Sequence, residues 1–454
     1  MSFPRYPTYK ESGVEWLGDV PENWTVGKLG YASKLRGGFA FSAVDFGTDG
    51  VVVVRMNNLK RGKLDLTDAA RIPEVCCIES VALIEGDLVW GMSGSTGETG
   101  SLGNYARVRC EDLPCQLNQR VGRFVVDGSL HNVDFFEYLI QTTYFYEQVM
   151  LLVTGTAQYN VSSDQVQSCL VAFPPLDEQT QIAMFLDQET SKIDLLVGEQ
   201  RRLIELLKEK RQAVISHAVT KGLNPNAPLK TSGIEWLGDV PEHWKVMRLK
   251  RITQYSRGIT YGIVQPGESD PTGRFMIRGK DYSGGWCEAD DIFRVSDAIE
   301  IPYARSRMRE NDLIMTIVGA GVGNVAIIPG WLEGSNITQT SARIAIDPLV
   351  ASPAYVCFAL KGIIGQRNLE RNVYGSAQPR LNIEHVDSYL MTIPPLAEQL
   401  AIVAILDTQL EKLDALTAEA ERGIELLQER RTALISAAVT GKIDVRGQHE
   451  MESA

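Results

Sequence analysis

The stretch from Pro174 to Gly222, PPLDEQTQIAMFLDQETSKIDLLVGEQRRLIELLKEKRQAVISHAVTKG, decides the architecture because it occurs twice. From Pro394 to Lys442 the chain reads PPLAEQLAIVAILDTQLEKLDALTAEAERGIELLQERRTALISAAVTGK. Aligned positions lie 220 residues apart: Leu186 with Leu406, Glu205 with Glu425, Thr220 with Thr440. Neither copy has a proline after its opening pair, and each has one interior glycine, Gly198 and Gly423. Leu, Ile, Ala, Glu, Lys, Arg and Gln dominate, the residues that lose least on entering a helix. At ~1.5 Å per residue, roughly 43 helical residues in each copy make a rod of about 65 Å. Ile193, Leu196, Leu203, Leu207 and Val214 step by threes and fours, with Gln200 and Lys210 interrupting. Leu413, Leu416, Ala420, Leu427 and Leu434 repeat the stripe. A stripe that narrow is a coiled-coil seam, and each copy is the other's partner.

The repeat extends beyond the helices. SGVEWLGDVPENW (Ser12–Trp24) and SGIEWLGDVPEHW (Ser232–Trp244) keep the offset, and their tryptophans read as anchors for a tight turn. VTGTAQ ending at Gln158 and VYGSAQ ending at Gln378 keep it too, as do Gln119 and Gln339. Between these anchors the copies diverge. The diverged segments hold β-branched runs at 51–54, 88–90, 121–126, 313–318 and 342–346, and helical stretches at 133–153 and 353–369. The chain therefore divides into a turn segment (1–29), an α/β domain (30–173), a long helix (174–222), a connector with a second turn segment (223–249), a second α/β domain (250–393), a second long helix (394–442) and a tail (443–454). The class is α+β. The connector resembles the two chain ends, so the reading is a pseudo-two-fold particle whose termini meet.

Composition bounds the partners. The 454 residues are 44% apolar and carry a net charge of −12. From Lys245 to Arg380 there are 17 Lys and Arg against 13 Asp and Glu, and from Lys28 to Arg123 there are 12 against 11. The negative excess thus sits on helices and linkers and leaves room for a basic face on each α/β domain. No apolar run is long enough to span a bilayer, and the start lacks a signal-like core. The seven cysteines form no CxxC pair and read as reduced thiols of a cytoplasmic protein.

No constellation supports an enzyme. Phe173-Pro174-Pro175-Leu176 and Ile393-Pro394-Pro395-Leu396 lack the polar acceptor and stacking ring that hold a flipped adenine, and they read as helix starts. Gly91–Gly100 lacks the Lys-Ser/Thr of a phosphate loop, and Gly319–Gly323 is a lone glycine cluster. The histidines (His131, His217, His243, His385, His449) are dispersed. Neither a cofactor nor a metal is expected.

Two copies of one scaffold with different inserts suit a protein that reads two different half-sites. On the paired, in-order strings quoted above, the chain resembles the specificity (S) subunits of Type I restriction–modification systems over essentially its whole length. The resemblance implies two target recognition domains separated by an antiparallel coiled coil. It further implies a non-catalytic role, delivering two methyltransferase (M) subunits and ATP-driven restriction (R) subunits to a bipartite site on double-stranded DNA. Methyl donor, ATP and magnesium would belong to those partners. The competing expectation is a protein–protein scaffold with no sequence reading of its own.

Internal comparison also sorts the candidate DNA contacts, because a side chain identical in both halves cannot by itself distinguish two half-sites. Gln119, Gln158, Gln339 and Gln378 are expected to be structural or to position phosphates. Base readers belong to the diverged part: Arg55, Asn57, Asn58, Lys60 and Lys63 in the first half, and Arg278, Lys280 and Tyr282 in the second. Arg grips guanine through two bonds and Asn grips adenine likewise. Phe39, Phe41, Tyr159 and Tyr261 are expected in the core.

Overall fold

The computed structural model describes residues 3–96, 100–156, 158–375 and 378–447. Ala157, Ser376 and Ala377 of the two repeated turns, part of Gly91–Gly100, and His449 lie outside them. The first half builds strands β1 (Ser33–Gly37), β2 (Val51–Val54), β3 (Leu88–Gly91), β4 (Tyr105–Arg107), β5 (Cys115–Leu117) and β6 (Val121–Val126). Helices α1 (Val133–Leu139), α2 (Thr143–Leu152) and the long α3 (Leu176–Lys221) follow. The second half repeats the order with β7 (Ile259–Tyr261), β8 (Arg274–Ile277), β9 (Leu313–Thr316), β10 (Val325–Ile327), β11 (Asn336–Ile337), β12 (Ser341–Ile344), α4 (Pro353–Lys361), α5 (Ile363–Asn372) and the long α6 (Leu396–Val439).

The chain forms two compact units: residues up to Glu199 together with those from Gly423 onward, and Gln200–Arg422. The first has an antiparallel sheet in the order β4-β3-β6-β1, the second an antiparallel sheet in the equivalent order β10-β9-β12-β7. Beside each lies a small sheet with one parallel pair, β2 with β5 and β8 with β11. Val51–Val54 is buried at every position, as a strand covered on both faces requires. Where one helix is expected at 133–153 and another at 353–369, each is split. Thr142 precedes α2, and Gly362 separates α4 from α5. A Cβ on Gly362 would stand 3.0 Å from Ile215 Cγ2, so glycine is what lets that turn sit against α3.

The long helices contribute to both units, and within each unit their halves run antiparallel. In the first, Ile182, Leu186 and Phe185 share a core with Leu434, Ile435 and Val439. In the second, Leu207, Ile215 and Val219 share one with Ile402, Leu406, Leu410 and Leu413. One ion pair occurs twice at repeat-related positions: Asp194 with Arg431 at 3.3 Å in the first unit, and Arg211 with Asp414 in the second. As the index rises along one helix it falls along the other.

The seam differs in part from the expected stripe. Its buried positions on α3 are Leu186, Thr190, Ile193, Val197, Ile204, Leu207 and Ile215, whereas Leu196 (48% exposed) and Leu203 (42%) face outward. On α6 Leu413, Ala420 and Leu434 are buried as expected, but Leu416 is 48% exposed. Adjacent apolar pairs such as Leu203-Ile204, Leu206-Leu207 and Ile405-Leu406 make two stripes one residue apart both look apolar, and only the partner's packing selects one.

Candidate nucleic-acid interface

The α/β domains are seated on the helices by the repeated Glu-Gln pair. Trp24 is fully buried and its indole Nε1 donates to Glu178 Oε1 at 2.8 Å. Tyr6 and Asn23 donate to the same carboxylate at 2.6 and 2.9 Å, and burial beside Glu178 pushes the Tyr6 hydroxyl well above the usual phenol range. In the second unit Trp244 donates to Glu398 at 3.1 Å, and His243 lies 2.7 Å from its other oxygen. Gln179 accepts from the Asn132 amide at 2.9 Å just before α1, and Gln399 accepts from the Ser352 amide at 2.8 Å just before α4. Each α/β domain is thereby fixed to the start of its helix by buried, satisfied polar bonds.

At one end of each main sheet three loops meet in the same backbone pattern. In the first unit Phe39 N–H donates to the Leu117 carbonyl and Gln119 N–H to the Phe39 carbonyl, both at 2.9 Å. Ser93 and Gly94 pair with Asn160 and Tyr159, and Val161 N–H donates to the Met92 carbonyl at 3.0 Å. In the second unit Ile263 N–H donates to the Ile337 carbonyl at 2.7 Å and Gln339 N–H to the Ile263 carbonyl at 2.8 Å. There Gly319 N–H donates to the Pro379 carbonyl at 2.9 Å and Leu381 N–H to the Ile317 carbonyl at 2.8 Å. The repeated glycines serve this clamp. Gly155 and Gly375 have φ of +103° and +88°, and a Cβ there would come within 2.3 and 2.6 Å of the Gln158 and Gln378 carbonyls.

Gln119, Gln158, Gln339 and Gln378 are all exposed on these loops. Phe39 (46% exposed) and Tyr261 (41%) are there too and are not core residues, contrary to expectation. Phe39 lies just beyond β1, its ring edge-on to Phe41 at 5.2 Å, and Tyr261 is the last residue of β7.

Four of the expected base readers are placed otherwise. Asn58 is 2% exposed; its side chain accepts from the Arg55 amide at 2.9 Å and donates to the Asp65 carbonyl at 3.0 Å, closing a turn. Tyr282 is 6% exposed, bonded to Thr316 Oγ1 at 2.6 Å, with its hydroxyl pKa raised by burial. Arg55 and Arg278 prove to be one position: each follows the strand paired in parallel with β5 or β11 and opens the same short turn. Arg278 N–H is held in the same way, donating to Asp281 Oδ2 at 2.8 Å. Each guanidinium lies over a phenylalanine ring, Arg55 over Phe46 at 5.8 Å and Arg278 over Phe293 at 5.3 Å. A 223-residue offset hid this identity, because an insertion lies between the anchors.

Asn57, Lys60, Lys63 and Lys280 are exposed. Lys60 and Lys63 flank a hairpin tip, Arg61-Gly62, and Lys63 lines a cavity of about 260 Å³ with Asp134, Glu137, Asp187, Asp194 and Arg431. Lys63 thus shares this cavity with residues of both long helices.

The structure instead singles out a pair that sequence reading passed over. Arg120 Nη1 donates to Asn160 Oδ1 at 3.0 Å, which also accepts from Ser93 Oγ at 2.7 Å. The repeat-related residues are Thr340 and Arg380, and Arg380 Nη2 donates to Gln378 Oε1 at 2.8 Å. Positions 120/340 and 160/380 thus carry Arg with Asn in one unit and Thr with Arg in the other, on otherwise matching loops. The signal was available: each residue lies beside or two residues beyond a repeated glutamine.

The family model for the Type I restriction modification DNA specificity domain matches residues 21–206 and 296–426. The Type I restriction enzyme EcoBI specificity subunit of Escherichia coli is 25% identical over 446 residues, covering 97% of this chain and 90% of that protein. The EcoKI specificity subunit of Escherichia coli strain K12 is 22% identical over 450 residues, covering 95% and 92%. Among solved structures, a chain from work on complex assembly and conformational transition of the type I R-M system aligns with a TM-score of 0.69 at 17% identity, covering 92% of this chain and 98% of that one. The HsdS subunit from Thermoanaerobacter tengcongensis aligns with a TM-score of 0.50 at 17% identity, covering 93% and 98%. The structural likeness shows a shared fold.

Proposed function

This chain belongs to the Type I restriction modification DNA specificity family, and from that premise we propose that it is the DNA-reading, non-catalytic subunit of a Type I restriction–modification complex. Each recognition domain reads one half of a bipartite site on double-stranded DNA. The observation that carries this reading is the loop clamp, built on the same backbone pattern in both units but carrying different side chains at 120/340 and 160/380, of which Arg120 and Arg380 are exposed and Asn160 and Thr340 half-buried. A shared backbone frame suits the regular phosphate backbone, while the differing side chains suit different bases. Gln119, Gln158, Gln339 and Gln378, identical in the two halves, are assigned to phosphate or sugar. Asn57 and Lys280 remain auxiliary contacts.

The segmentation proposed is two recognition domains, 30–173 and 250–393, on helices 174–222 and 394–442 that set the spacing between half-sites. Two methyltransferase subunits dock on the helices and restriction subunits join through them, all in the cytoplasm. A partner present as two identical copies must find the same residues in each half. On the outer helix faces Leu206 (44% exposed) and Leu426 (59%), with Arg202 and Arg422, Glu209 and Glu429, meet that requirement. Methyl donor, ATP and magnesium are supplied by those partners. Among the described residues no helix is long and apolar enough to cross a membrane. The test is to sequence methylated sites in cells that express this chain with its methyltransferase partner. One bipartite motif with an unread spacer is expected; methylation at a contiguous motif, or at none, would sink the proposal.

A further inference from the structure

The second recognition domain contains an arginine-lined cavity of about 580 Å³, bordered by Arg257, Arg305, Arg307, Arg309 and Arg343. Its lining includes one carboxylate, Glu333. Two neighbouring acids are already engaged. Asp312 is gripped by both Nη atoms of Arg257 at 2.9 and 2.5 Å. Glu300 is fully buried and held by Arg307 at 2.7 and 2.6 Å, with Arg274 3.6 Å away. The five lining arginines thus have Glu333, Asp312 and Glu300 close by, with Asp297 also acting on Arg307, and Arg305 and Arg309 are exposed with no ion pair among the described residues.

Arg343 is the least compensated of them. It is 2% exposed and has no carboxylate of its own. Nη1 donates to the Arg305 and Arg307 carbonyls and Nη2 to the Arg257 carbonyl, while the buried Nε has no partner. Burial, with Arg257 beside it, pulls its pKa down to about 10. A buried cation with an open donor is costly until an anion arrives.

The local sequence builds the site. In Arg305-Ser306-Arg307-Met308-Arg309, at the end of a short 3-10 helix (Ile301–Ser306), Ser306 and Met308 are buried while Arg305 and Arg309 are exposed and Arg307 is half-buried. Arg257 comes from an insertion. In the first unit β1 pairs continuously with β6, Ser33 opposite Val126 to Gly37 opposite Gly122. In the second, Thr253 bridges Ile346 and pairing resumes only at Ile259 opposite Ile344, so the chain loops out through Gln254–Gly258. The first unit keeps the simpler arrangement: Arg123, related to Arg343, pairs directly with Asp87 at 3.1 Å. In the second unit the inserted Arg257 has taken the related Asp312 and left Arg343 facing the cavity.

We propose that this cavity is a phosphate-binding site particular to the second recognition domain. Forked guanidiniums converging in a concave site match the several acceptor oxygens of a phosphate group. A DNA phosphodiester and a free phosphate present the same chemistry. Only the DNA source rests on the proposed reading function.

The full-length chain is titrated calorimetrically with inorganic phosphate and pyrophosphate at low salt, as wild type and as Arg305→Ala with Arg309→Ala. Both residues are exposed and unpaired, so the fold should survive; Arg305→Lys with Arg309→Lys retains charge without the fork. In parallel, DNA affinity of the chain with its methyltransferase partner is measured against salt. Saturable phosphate binding that falls about tenfold or more in the alanine variant, and less in the lysine variant, supports a free-anion site. A slope of log affinity on log salt that becomes shallower by about two, with base preference unchanged, supports a DNA-backbone site. If the alanine variant moves neither, the inference is overturned. If the complex shows no preference among DNA sequences, it is the reading function that fails, and the phosphate titration still decides the pocket.

Discussion

At the scale of single residues, the internal repeat is a control that needs no homologue. Arg55 and Arg278 look like independent readers in sequence, yet they open equivalent turns, and each guanidinium lies over a phenylalanine, Phe46 ahead of the strand in one unit and Phe293 beyond it in the other. On that ground we assign them to the scaffold, and Arg55→Ala should lower stability without changing which base is preferred. Arg120 and Arg380 are the better candidates because the residues at their related positions differ. Arg120→Ala should relax one base position in the half-site read by the first domain, at a cost of ~1–3 kcal/mol, and Arg380→Ala should do the same for the other half. Competition binding against single-base variants of the site measures this. A uniform loss across all sequences would reassign the residue to a phosphate.

At the scale of elements, the long helices carry two apolar stripes one residue apart, and packing decides between them. Ile204 is 8% exposed and Leu203 42%. Ile204→Ala should therefore cost about 2–4 kcal/mol, while Leu203→Ala costs under about 1 kcal/mol. Denaturant unfolding of the two variants compares them directly, and equal losses would contradict the seam. The repeated Asp194–Arg431 and Arg211–Asp414 pairs are solvent-exposed, so they contribute register more than stability. The proposed spacing role has its own test. Four residues inserted after both Gly198 and Gly423 add ~6 Å of helix while nearly preserving its inward face. With ~3.4 Å per base pair, the unread spacer should lengthen by about one or two pairs with both half-sites retained, and binding should weaken because the half-sites are also rotated. An active variant with an unchanged spacer would separate helix length from spacing.

At the scale of the whole molecule, the two recognition domains should be exchangeable modules. Replacing residues 30–173 with another recognition domain should change one half of the methylated motif and leave the other untouched; a change in both halves would refute modularity. The docking faces can be tested as a pair. Leu206→Asp together with Leu426→Asp should abolish co-purification of the methyltransferase partner, with the circular dichroism spectrum unchanged. Either single change should leave one partner copy bound, and retention of both copies in the double variant would place the docking face elsewhere. The ends of the first unit also close as the sequence implies: Asp444 N–H donates to the Pro4 carbonyl at 2.8 Å and Arg446 stacks on Tyr6 at 4.7 Å.

The sequence alone determined the class, the duplication, the long helices and their pairing, because these follow from helix propensity and from a 220-residue periodicity that needs no coordinates. It also located the repeated glutamines and glycines, whose loops the structure shows to be equivalent. What it left undecided is which of two adjacent stripes forms the seam, that Asn58 and Tyr282 face inward, that Phe39 and Tyr261 face outward, and that Arg55 corresponds to Arg278. Each of these depends on register across strands or between helices. A shift of one residue turns a side chain from one face to the other, and an insertion upstream hides a correspondence that hydrogen bonding restores. The same holds for the arginine cavity: Arg257, Arg307 and Arg343 are far apart in sequence, and only strand pairing brings their guanidiniums to one place.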